Sequence, residues 1–66
     1  MSRKAAAAEL QDLIEQMHAL CARGARLAEA SGGLVNPSYF RGAASAMTMA
    51  AGDLDQKGLL QPKVPA

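Results

Sequence analysis

Hydrophobic residues recur at spacings of three and four from Leu10 onward. Leu10, Leu13, Ile14, Met17, Leu20, Cys21, Leu27 and Ala28 fall on one stripe of a helix. Gly24 interrupts that stripe between Leu20 and Leu27. The pattern predicts a helix from about Arg3 to Ala30, about 40 Å long at the rise of an α-helix. Ser2 stands where an N-cap belongs, although Arg3 and Lys4 in the first turn oppose the helix dipole. Ser31-Gly32-Gly33 supplies a stop, because glycine takes the left-handed conformation that closes a helix C-terminus.

A second pattern begins after the apolar link Leu34-Val35. Asn36 reads as an N-cap and Pro37 as the first helical residue, where a missing N–H costs nothing. Phe40, Ala43, Ala44, Met47, Ala50, Ala51 and Leu54 form the apolar face of a helix from about Pro37 to Lys57, with Gly58 as its stop. Gly42, Ala46 and Ala50 repeat every four residues and allow another helix to come close. Two amphipathic helices joined by a short link predict an all-α antiparallel hairpin over residues 1–58. Residues 59–66 contain Pro62 and Pro65 and read as an extended C-terminal tail.

Composition adds a problem to this picture. Half of the 66 residues are hydrophobic, but much of that is alanine and only 3% are aromatic, so the core is thin. Chains of this size need a disulfide, a metal or self-association to supplement such a core. The one cysteine, Cys21, excludes an internal disulfide. Self-association into a helical-bundle homo-oligomer is therefore expected, a four-helix dimer being its simplest closed form.

The net charge of +1, from seven basic and six acidic residues without a basic block, argues against a DNA-binding protein. No stretch reaches membrane-spanning length, and a lone thiol suits a reducing compartment, so a cytoplasmic protein with no membrane partner is expected. His18 and Cys21, three apart on the first helix, are the nominal metal or nucleophile pair. One of each per chain is a poor ligand set, and a straight helix offers neither cleft nor oxyanion hole. No metal, no cofactor and no enzymatic activity are expected. Met17, Met47 and Met49 read as gap-fillers of an alanine-rich core.

The segment Leu34 to Arg41 gathers both aromatics at a helix start. Backbone N–H groups there are unpaired and attract anions. Tyr39 has a face on which a base can stack, Arg41 can clamp a phosphate, and Asn36 and Ser38 add neutral hydrogen-bonding groups. Arg23 and Arg26 should lie near the same end of the hairpin. These six residues form the expected ligand site, for a small phosphorylated nucleotide held between subunits. Against that, Phe40 belongs to the apolar stripe and is expected to pack under the first helix.

Asn36-Pro37-Ser38-Tyr39, opening an alanine-rich helix after a leucine-striped one, is similar to the phage anti-activators of quorum sensing. The aromatic-led second helix ending at Gln61-Pro62 also resembles phage sponges of cyclic-nucleotide immune signals. The likeness spans residues 9 to 62. The chain is shorter than those sponges and lacks the longer arginine-containing pattern of their second helix, so no binding residue carries over. The resemblance implies a non-enzymatic counter-defence or host-takeover protein. It would sequester a nucleotide signal or, alternatively, inhibit a host protein by docking a helical face on it.

Overall fold

The computed structural model describes residues 1–62. Two helices, α1 (Arg3–Ala30) and α2 (Pro37–Gln56), pack against each other as an antiparallel hairpin, with no strand among the described residues. Both starts are capped as the sequence predicts. The Ser2 hydroxyl accepts from the Ala5 N–H at 3.0 Å, and the Asn36 side chain accepts from the Ser38 N–H at 3.0 Å, with Pro37 at the first helical position. After α1, Ser31 Oγ donates to the Ala28 carbonyl and accepts from the Leu34 N–H. Gly32 and Gly33 then turn the chain at φ 70° and 101°.

The stripe expected on α1 divides in two. Ala7, Gln11, Ile14, Cys21, Ala25 and Ala28 are buried or half-buried against α2. Leu10, Leu13, Met17, Leu20 and Leu27 are exposed, Leu20 at 62% and Leu27 at 59%. On α1 the seam is thus made mostly of smaller side chains, with Ile14 the exception, and the leucines of α1 flank it. From α2, Phe40, Ala44, Met47, Ala51 and Leu54 face the seam, and among the described residues no large side chain is fully buried. Of the three methionines expected to fill core gaps, Met47 is half-buried, while Met17 and Met49 are exposed.

Phe40 packs under α1, as the sequence suggests. Its ring lies on the backbone at Gly24, where an added Cβ would overlap it. The interruption of the leucine stripe is therefore the seat of the aromatic ring, and this contact fixes the axial level of α2 on α1.

The expected tail begins after Gly58, at φ 67°. Its described part, 59–62, lies along α1. Gln11 Nε2 donates to the Gln61 carbonyl at 2.7 Å and Gln11 Oε1 accepts from the Gln61 N–H at 2.8 Å. The amide side chain imitates a strand neighbour, pairing both backbone groups of one residue. It also explains how Gln11 can be only 7% exposed: each of its polar atoms has a partner. The rest of the tail, 63–66, lies outside the described residues.

Candidate functional site: a leucine-lined face

The six residues singled out in the sequence are at one end of the hairpin but do not converge. Asn36 is engaged as the α2 cap. Ser38 is exposed beside it, and Tyr39 is 72% exposed. Arg41 forms an ion pair with Glu29 of α1 across the open end of the hairpin. Tyr39 and Arg41 are two residues apart on a helix, so their side chains diverge by about 200°. Arg41 is held on the flank of Glu29; Tyr39 leans toward the opposite flank, the side of Ala43 and Ala50. Arg26, three residues before Glu29, shares the Arg41 flank, and Arg23 is turned out to solvent. One chain therefore cannot close Tyr39 and Arg41 around one ligand.

The surface that does converge is apolar. Leu10, Leu13, Met17, Leu20, Gly24 and Leu27 recur at alternating intervals of three and four, which keeps them on one side of α1. Beside them the two helices form a groove. At the terminal end, Leu10, Leu13, Ile14 and Met17 meet Met47, Ala50 and Leu54 around a space of ≈ 390 Å³, with Asp53 at its edge. At the hairpin end, Leu27, Leu34, Val35 and Phe40 border a second hollow over Gly24 and Ala28. Neither hollow is lined by Asn36, Ser38, Tyr39, Arg41, Arg23 or Arg26. Leu34 at the link is 85% exposed. Five large apolar residues in a row at about half exposure or more, walled by a second helix, form a contiguous patch of the kind that marks an interaction site.

The other flank of the hairpin is mixed. Glu15 and His18 border a shallow hollow with Met47 and Thr48. His18 is exposed and Cys21 half-buried as a free thiol. Among the described residues no three His, Cys, Asp or Glu side chains gather as a metal site, and no helix is long and apolar enough to cross a membrane.

Sequence reasoning placed the leucines on a helix face but not away from α2. The signal for this was present in a second series at the same period, Ala7, Gln11, Ile14, Cys21, Ala25 and Ala28. The two series lie side by side on α1, one against α2 and the other exposed. No family model, curated protein or solved structure matches the chain.

Proposed function

We propose that the protein acts by binding rather than by catalysis, and that its working surface is the leucine-lined face of α1 with the adjoining wall of α2. It docks this face on an apolar helical surface of another protein and blocks it. One observation carries the reading: all four leucines of α1, with Met17, are exposed beside the hairpin's own seam. Exposing a row of leucines weakens the fold of a chain this small unless the row has an occupant. The resemblance to phage host-takeover hairpins suggests a host regulator or defence protein as the target.

A second reading, sequestration of a small phosphorylated nucleotide, is favoured by the exposure of Tyr39 at the start of α2. Since Tyr39 and Arg41 point to opposite flanks, it requires a pocket shared between subunits. Affinity capture from host cells with the wild-type chain, Leu13→Glu and Arg41→Ala separates the two. Docking predicts a captured protein that is lost with Leu13→Glu and kept with Arg41→Ala. A nucleotide retained by the wild-type protein and lost in Arg41→Ala, with no protein captured, would instead establish the second reading.

A further inference from the structure

We infer that in the free protein the leucine face is covered by a second copy of this chain, through an antiparallel α1–α1 contact centred near Glu15–Gln16. This deepens the reading above by naming what occupies the face before a target does. It rests on that face being a contact surface and not on the identity of any target.

The exposed area is large for the chain's mass. A folded 6.8 kDa monomer is expected to expose about 3,950 Å², whereas this chain exposes 4992 Å². Its elongated shape, 44 × 25 × 19 Å, raises the area of a hairpin with a terminal tail. The excess is nevertheless of the size that each partner of a stable complex gives up, about 800 Å². The residues supplying apolar surface on one side are Leu10, Leu13, Met17, Leu20 and Leu27.

Charge selects both the partner and its direction. With the leucine row as the contact seam, Glu9, Gln16 and Arg23 are the polar positions along its outer edge, seven residues apart. They run acidic, neutral, basic. All three are exposed, and neither Glu9 nor Arg23 has an ion pair within the chain among the described residues. When two such helices run antiparallel about a two-fold axis, outer-edge positions face each other. Glu9 then meets the partner's Arg23, Gln16 meets its own copy, and Arg23 meets the partner's Glu9. In the same register Leu10 faces the partner's Leu20 and Leu13 faces the partner's Met17; Gly24 is covered by the chain's own Phe40 ring, and Leu27 lies beyond these apolar layers, level with the partner's Arg3. Run parallel, the outer-edge residues would instead face Ile14, Cys21 and Ala28, which are already turned toward α2, and both charges would be left against apolar neighbours. A sequence complementary to its own reversed copy at Glu9 and Arg23 and at Leu10, Leu13, Met17 and Leu20 fits a two-fold contact.

The test uses the full chain and, apart from the half-buried Cys21, exposed positions only, so that the charge and leucine variants leave the hairpin seam untouched. Sedimentation equilibrium at micromolar concentration should give twice the chain mass. Glu9→Arg and Arg23→Glu should each weaken the dimer, on the order of tenfold because each change acts twice by symmetry, and the double variant should recover wild-type affinity. Gln16→Cys combined with Cys21→Ser should form a disulfide-linked dimer on mild oxidation. A monomer would overturn the inference while leaving target docking to be judged by capture. A dimer in which the double charge swap is no better than the singles would overturn the antiparallel contact. A dimer unaffected by Leu13→Glu would remove the leucine face from both readings.

Discussion

Gly24 offers a test of the packing in which the sign of the effect is the result. In a helix interior, replacing glycine by alanine ordinarily stabilises by about 1 kcal/mol, because the unfolded glycine has more freedom to lose. Gly42 and Gly52 are interior to α2 with nothing within 4 Å of an added Cβ. Gly42→Ala and Gly52→Ala should each deliver that gain, raising the melting temperature of a domain this size by about 4–8 °C. At Gly24 the same Cβ would overlap the Phe40 ring. Forcing the ring aside costs about 1–3 kcal/mol in a packed site, so Gly24→Ala should be neutral to destabilising by about 2 kcal/mol. Removing the ring should reverse the sign. In a Phe40→Ala background, Gly24→Ala should stabilise as the two control glycines do, with a coupling on the order of 1–3 kcal/mol between the positions. Thermal and urea unfolding followed by circular dichroism measure all of these. Protein concentration must be held fixed, since the inferred self-association would make the midpoint concentration-dependent. If Gly24→Ala raises the midpoint as much as Gly42→Ala, the ring does not rest on Gly24 and the placement of α2 on α1 is wrong.

Three further outcomes follow from the hydrogen bonds and the ion pair. Gln11→Leu should release residues 59–62 from α1, abolishing hydrogen-exchange protection of the Gln61 amide and costing about 1–2 kcal/mol, the worth of its backbone bonds; an unchanged Gln61 exchange rate would refute the clamp. Asn36→Ala should cost about 1 kcal/mol in unfolding free energy through loss of the α2 cap, with Asn36→Asp nearly neutral. Arg41→Ala should shift stability by less than about 1 kcal/mol, because its ion pair with Glu29 is largely exposed, and the difference should vanish at high salt.

Helix limits and caps were legible because they depend on neighbouring residues. Ser2, Ser31-Gly32-Gly33, Asn36-Pro37 and Gly58 each act within one turn of themselves, and the structure places α1 and α2 where they indicate. The direction of each apolar residue was less legible. Leu13 and Ile14 are adjacent on the same broad stripe, yet one is exposed and the other lies at the seam. That choice depends on where α2 sits, and α2 is located by the Phe40–Gly24 contact, sixteen residues apart in sequence. The pairing of Gln11 with Gln61 is more distant still and leaves no local trace, since an isolated glutamine on a helix ordinarily reads as solvated. At the expected ligand site, the clustering of Asn36, Ser38, Tyr39 and Arg41 in sequence did not survive the turn of the helix, which sends Tyr39 and Arg41 to opposite flanks.

The division of α1 into a small seam and a large one also bears on how the hairpin stays specific. If the leucines faced α2, they would hold the helices apart and leave the Phe40 ring without its seat on Gly24. With alanines at Ala7, Ala25 and Ala28, the α1 side of the seam is built mostly from small side chains, and among the described residues no large side chain is fully buried. The leucine row would add apolar burial only if something covered it. An occupant of that face would stabilise the fold by an amount that grows with the logarithm of its concentration over its dissociation constant. If the inferred second copy covers that face, a target must bind more favourably than that copy, and the concentration at which the protein self-associates becomes the threshold against which its affinity for a target is measured.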